Sequence, residues 1–188
     1  MPPRAYERLD VDERRRRLLE VGADLFTRHA YDEISMATIA REAGISKALL
    51  YHYFPSKQAM FTAMLEERAG EVAARTTPDP GLPLQQQLEI ALDGFLGWVE
   101  ENATAYAKFI RSSGIPEVRE LTDGVREATV RRVVEGLGGD ARMRGVARAW
   151  LWFLDGAILG WIEHGDLTRD QVRDAALGAL AGALAGDA

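Results

Sequence analysis

The stretch Met36–Pro55, MATIAREAGISKALLYHYFP, decides the fold. It reads as two short helices joined by a tight turn. Ser35 stands where an N-cap belongs, its hydroxyl able to accept a free N–H of the first helical turn. Ile34 before it and Ile39 after it hold the N′ and N4 positions of a hydrophobic staple. The arrangement returns eleven residues later, with Ser46 as cap, Ile45 as N′ and Leu50 as N4. Two capped starts so close cannot belong to one continuous helix. Gly44 lies between them, flanked by Ala43 and Ile45, and suits a backbone that must turn left-handed.

Ala40 is small where the second helix must cross close, and Leu50 is the apolar plug that holds that helix down. Small residue, turn glycine and plug at these offsets make a helix-turn-helix, whose second helix enters a DNA major groove. A chance helical hairpin shares the spacing alone. Tyr51, His52 and Tyr53 follow as consecutive polar aromatics, of which only one or two can face inward. With Phe54 assigned to the core, Tyr51 and His52 point outward, where phenol and imidazole can bond phosphate oxygens. Ser56 caps the next helix and leaves Lys57 in its first turn, where the macrodipole disfavours a cation. A docked phosphate would reverse that penalty, and a solvated lysine would merely tolerate it.

The pattern I-A-x-x-A-G-I-S-K-x-x-L-Y-H-Y-F-x-x-K, from Ile39 to Lys57, resembles the DNA-binding signature of the tetracycline-repressor (TetR) family. The specific likeness covers roughly residues 13 to 65. The resemblance implies an all-α chain of about nine helices. Residues 1–57 would form a three-helix helix-turn-helix DNA-binding domain, and 58–188 a helical effector-binding and dimerisation domain. It further implies a repressor, paired as a homodimer through its last two helices and released from double-stranded operator DNA by a small-molecule effector, while a cytoplasmic location is expected from the lack of cysteine, membrane span and signal peptide. Ser35, Ala37, Thr38, Ser46, Lys47, Ala48, Leu49, Tyr51, His52 and Lys57 are the DNA contacts it points to. One departure stands out. Where the family usually carries glycine and then a small or polar residue, this chain has Ala48 and Leu49. Ala48 still permits close approach to the sugar-phosphate backbone, while Leu49 can only meet a thymine methyl or pack.

Composition bounds the rest. A chain of 188 residues, 47% hydrophobic and without a long polar tract, can bury a sizeable core in one or two domains. No apolar run reaches membrane-spanning length, and no signal peptide is visible. With no cysteine there is no disulfide framework or thiol chemistry. The net charge of −6 argues against wholesale nucleic-acid binding, so its distribution matters. Residues 1–60 hold 10 basic and 9 acidic side chains, against 13 and 20 in the remainder. Any positive field is therefore local.

The first helix is expected from Asp12 to His29, with Asp12 and Glu13 in the turn that favours acids and Leu18, Gly22, Leu25 and Phe26 as its buried stripe. Arg14–Arg17 wrap around it, and Arg4 and Arg8 precede it on a tail that is either solvated or follows the DNA. A helix from Ser56 to Arg75 carries Met60, Phe61, Met64, Leu65 and Val72, and TTPDPGLP (76–83) ends it. Pro83 opens a helix bearing Leu88, Leu92, Phe95, Leu96, Trp98 and Val99. A short one with Tyr106, Phe109 and Ile110 ends near Ser112-Ser113-Gly114. Another runs from Pro116 with Val118, Leu121, Val125 and Val133 to Gly138-Gly139. The helix from Ala141 to His164 carries Trp150–Leu154 in succession, apolar all round, with Gly156 and Gly160 open to close approach. Leu167, Thr168 and Gln171 start the last helix as N′, cap and capping-box partner, and Leu177, Leu180 and Leu184 form its stripe. A four-helix bundle with a second copy would cover this pair, as would burial within one chain.

No catalytic set is visible, and no metal or cofactor is expected. His29, His52 and His164 lack ligand spacing with acids, and nucleophile-elbow, Walker and dinucleotide motifs are missing. Asp155, within an apolar helix, must face water, meet an arginine or contact a polar ligand. With Trp98, Tyr106, Phe109 and Trp152 it is a candidate lining of an effector cavity, although these aromatics can equally fill a core. Two other classes stay open: a helical ligand-binding protein or small enzyme without DNA affinity, and an interaction protein that kept the dimer and lost DNA binding.

Overall fold

The computed structural model describes residues 11–112, 116–137 and 139–185. The expectations placed on Arg4, Arg8, Ser113, Gly114 and Gly138, and on the side chain of Leu121, lie outside the described residues. Among those described, every regular element is helical: α1 Val11–Arg28, α2 Met36–Glu42, α3 Lys47–Tyr53, α4 Lys57–Thr76, α5 Leu84–Glu101, α6 Ala103–Arg111, α7 Pro116–Leu137, α8 Ala141–Leu159 and α9 Arg169–Ala185. No helix among them is long and apolar enough to cross a membrane. The chain divides into two compact units, Met1–Glu67 and Arg68–Ala188, and the division falls inside the unbroken α4.

In the first unit, serines set the helix starts. The Thr38 N–H donates to Ser35 Oγ at 3.1 Å, Leu49 N–H to Ser46 Oγ at 3.2 Å and Ala59 N–H to Ser56 Oγ at 3.0 Å. Each bond satisfies one of the four donors a helix start leaves open. Gly44 takes φ +66°, and around it the Ile45 N–H reaches Ala40 O at 3.0 Å while the Gly44 N–H reaches Arg41 O at 3.1 Å. This is a Schellman turn, and only glycine adopts it without a Cβ penalty. Ile34, Ile39, Leu50 and Phe54 are buried, as are Leu18, Leu25, Phe26, Met60 and Phe61. Each such side chain contributes about 1.5–3 kcal/mol by leaving water. Phe26, Tyr31 and Phe61 pack ring on ring, with centroids 4.8–5.7 Å apart.

The second unit is layered helix on helix. α8 packs between α7 and α9, and α9 also meets α5. Leu92, Leu96, Trp98, Val99, Tyr106, Leu154, Ile158, Val172 and Ala176 make one core, and Val130, Val134 and Ala147 a smaller one between α7 and α8. At Gly94 a Cβ would land on the Arg75 carbonyl oxygen, so glycine is what lets α5 lie against the end of α4. The capping box of α9 forms in both directions: Thr168 N–H to Gln171 Oε1 at 2.8 Å, and Gln171 N–H to Thr168 Oγ1 at 3.2 Å. α8 differs from the single helix expected. It stays α-helical to Leu159, then widens into a π turn over Gly160–His164 that stops at left-handed Gly165 (φ +68°). The Glu163 carboxylate of that turn accepts from Arg111 Nε and Nη2 at the end of α6, one bond to each oxygen.

Candidate functional site

On the first unit, α2 and α3 present one polar outer side. Ser35, Ala37, Ser46, Lys47, Ala48 and His52 are exposed, and Tyr51 is 43% exposed. The reason is the plug: Leu50 is fully buried and fixes the rotation of α3, so its neighbours at 47, 48, 51 and 52 face outward. Lys47 Nζ stands 5.7 Å over the Tyr51 ring, one turn on, which brings a cation and a phenol to the same spot. Thr38 is half-buried, its hydroxyl 3.0 Å from Ser35 Oγ. Leu49 is half-buried too, so its side chain divides between packing and the outer side.

Lys57 has a partner within the fold. Its Nζ donates to the Tyr31 carbonyl at 2.7 Å and lies 4.0 Å above the Tyr31 ring. These contacts supply a structural reason for a lysine in the first turn of α4, beside the phosphate reason. An ammonium carries three donors, and one is used here. Arg15, Arg16 and Arg17 on α1 are exposed, and Arg15 lies 5.4 Å over the Phe54 ring.

In the second unit the residues singled out for a ligand meet only in part. Tyr106 and Asp155 meet directly: the phenol donates to Asp155 Oδ1 at 2.6 Å. Burial, then the Asp155 charge and this bond, push the Tyr106 phenol well above its ordinary pKa near 10.0. Trp98 lies edge-on to Tyr106 at 6.4 Å and donates from Nε1 to Glu71 Oε2 at 3.2 Å, on α4. Burial would raise the Glu71 pKa, but bonds from Arg68 and Trp98 outweigh it and hold the carboxylate below its usual range. Trp152 is 59% exposed and is tied to Asp155 through a shared arginine. Phe109 is half-buried, and Phe95 and Ile110, rather than it, pack on the Trp98–Tyr106 core.

The residue missed in the sequence is Arg126. Its guanidinium bonds Asp155 Oδ2 at 2.5 Å and lies 4.0 Å over the Trp152 ring. Of the three readings of Asp155, the arginine partner is the one found. The only signal for it was the cost of an unpaired carboxylate inside an apolar helix, which demands a cation without saying which one.

Residues 18–64 match a family profile described as bacterial regulatory proteins of the tetR family, and residues 84–182 match a tetracyclin repressor-like C-terminal domain. The chain belongs to the TetR family. The TetR N-terminal profile spans the ten candidate DNA contacts from Ser35 to Lys57, and its C-terminal partner spans Trp98, Tyr106, Phe109, Arg126, Trp152 and Asp155. Among TetR-family proteins, the transcriptional activator FasR of Mycolicibacterium smegmatis is 31% identical over 120 residues, which cover 61% of this chain and 53% of FasR. This chain thus spans about half the length of that relative. A tetR-family transcriptional regulator from Streptomyces coelicolor superposes with a TM-score of 0.76 at 29% identity, over 95% of this chain and 83% of the other. A TetR-like regulator from Rhodococcus sp. RHA1 gives 0.71 at 27%, over 96% and 100%.

Proposed function

We propose that this TetR-family chain is a cytoplasmic, homodimeric transcriptional regulator that binds double-stranded operator DNA and is released by a small-molecule effector. The observation that carries it is the outer side of α3. Lys47, Ala48, Tyr51 and His52 are exposed together on a helix whose rotation is fixed by buried Leu50, within the matched N-terminal profile. Lys47, Tyr51, His52 and the spare donors of Lys57 would hold phosphate oxygens, with Ser35, Thr38 and Ser46 bonding backbone at the starts of α2 and α3. Ala37 and Ala48 would let the duplex come close, and Leu49 would meet a thymine methyl. In function the chain divides into the DNA-binding part, 1–57, and the effector and dimer part, 58–188.

Pairing is supported by what α8 and α9 leave uncovered. Trp152 and Phe153 are 59% and 43% exposed, and a Cβ built on Gly156 or Gly160 meets no described atom within 4 Å beyond its chain neighbours and its own helix backbone. On α9 the exposed positions include Ala175, Gly178, Ala179 and Gly182. A second copy laid along this face would bury it as a four-helix bundle. The two α3 helices would then enter successive major grooves about 34 Å apart. Effector control acts through α4, one helix from Lys57 to Thr76, because a shift of its second half moves the α3 it begins beside. Repression is the sign we assign, by occlusion of the operator. FasR is named an activator, so the sign is read from a reporter.

A gel shift with the DNA upstream of the protein's own gene tests the reading. We expect a specific complex containing two copies. Tyr51→Phe and Lys57→Ala should weaken binding to all sequences alike, and Lys57→Ala, which removes a cation, should also flatten the salt dependence, whereas changes at Leu49 should alter the preferred sequence. A protein that dimerises but shifts no DNA at low salt would leave the interaction-protein class standing instead.

A further inference from the structure

We propose that Arg15, on α1, is a DNA-phosphate contact, set in place by the ring of Phe54. The inference rests on the operator-binding reading above and adds a residue that lies outside the α2–α3 motif. Four arginines stand in succession, Arg14–Arg17, in the first two turns of α1. The positive end of the helix dipole lies there, and Asp12 and Glu13 offset only part of that charge. An anion arriving from outside relieves the repulsion.

Position selects one of the four. Leu18, Leu19, Gly22, Leu25 and Phe26 form the buried stripe of α1, and Arg15 continues it by one turn toward the helix start. There the stripe leaves the core. The Arg15 guanidinium lies 5.4 Å from the ring centroid of Phe54, which is 2% exposed and caps the end of α3. In the chain Phe54 stands between the exposed Tyr51 and His52 and Lys57 at the start of α4. The head of Arg15 is thereby held where α3 ends and α4 begins. Lys57 is seated in the same manner, 4.0 Å over the Tyr31 ring. Arg14, Arg16 and Arg17 have no such ring among the described residues.

The head is held but its donors are not used. No described residue accepts a hydrogen bond from Arg15 or forms an ion pair with it, and a ring contact consumes no N–H. A phosphate takes two of these donors as a fork, which a lysine at the same place could not offer. Because the side chain already rests on a ring, less rotamer freedom is lost when DNA arrives. Residues 1–60 carry 10 basic against 9 acidic side chains, so attraction to the duplex depends on a few cations in fixed places. A contact of this kind strengthens binding without reading bases.

Gel shifts of the full-length protein on the upstream DNA and on an unrelated duplex, between roughly 50 and 200 mM salt, test the contact. Arg15→Gln should weaken both complexes about ten-fold and lower the slope of log affinity against log salt by about one. Arg15→Lys keeps the charge, so it should keep the slope while losing part of the affinity. Arg17→Gln removes the same charge from a side chain with no ring beneath it, and should leave affinity within about two-fold. Melting temperatures of all variants are measured alongside. An Arg15→Gln protein that is less stable but keeps the wild-type slope would make Arg15 a packing residue and overturn the inference. Equal losses in Arg15→Gln and Arg17→Gln would overturn it too, since diffuse charge would then suffice. A wild type that shifts no DNA at low salt refutes the operator reading itself, whereas a complex indifferent to Arg15 refutes this contact alone.

Discussion

The first unit takes its helix starts from serines that reach three residues along the chain, whereas the second is tied together by side chains that reach across 21 to 80. Tyr106 to Asp155, Arg126 to Asp155 and Arg169 to the Asp93 carbonyl all join different helices. The difference bears on function. A reading head must hold a fixed shape against DNA, and short-range caps with a plugged turn fix it cheaply in sequence. In the second unit the arginine of one helix and the carboxylate of the next hold together elements that lie far apart in the chain.

The largest expected effect probes the tightest long-range approach. Gly94→Ala would drive a methyl into the Arg75 backbone carbonyl, which cannot yield, and should cost about 3 kcal/mol in a urea melt. Gly22→Ala in the first unit meets only the ends of Met60 and Met64, so about 1 kcal/mol is expected as those side chains move aside. Equal losses would break the distinction between rigid and adaptable contacts. Next comes Asp155→Asn, which leaves a mostly buried Arg126 without its partner and should cost about 2 kcal/mol. The exposed Arg28–Asp24 pair of the first unit offers the contrast, and Arg28→Ala should change stability by no more than about 0.5 kcal/mol.

Legibility in the sequence followed the same division, and it followed range rather than unit. Ser35, Ser46, Gly44 and Leu50 act on neighbours a few residues away, so their spacing alone gave α2, α3 and the turn. The Thr168–Gln171 box belongs to the second unit, yet was equally readable because it too is local. Conversely, the Lys57–Tyr31 bond belongs to the first unit and went unread, since 26 residues separate its ends. The same blindness hid Arg126. It also left open which aromatics close on the Trp98–Tyr106 core, where Phe95 and Ile110 are found, because helix periodicity gives a face but not which neighbour covers it. The π turn at Gly160 escaped because its five residues carry no signal that an α-helix would not share. Ser46→Ala and Thr168→Ala sharpen the point. Each removes one cap bond, and each should cost about 1 kcal/mol whichever unit it lies in.

A further effect reads the long-range network through a proton. Tyr106 is held neutral in the folded protein by burial, by the Asp155 charge and by the bond it donates to that carboxylate. Its folded pKa lies above that of the unfolded chain, so below the ordinary phenol range both states are protonated and pH has no leverage on this group. Above about pH 10 the unfolded chain releases the proton and the folded one retains it, which draws unfolding forward. The stability owed to the neutral phenol is thus complete below that range and lost as pH rises through it, by about 0.8 kcal/mol at roughly pH 10.5. Tyr106→Phe should flatten this part of the stability–pH curve, at the cost of a lower plateau from the lost bond to Asp155. A variant that keeps the full alkaline fall would mean that the phenol is not what the core protects, and the contact joining α6 to α8 would lose its energetic meaning.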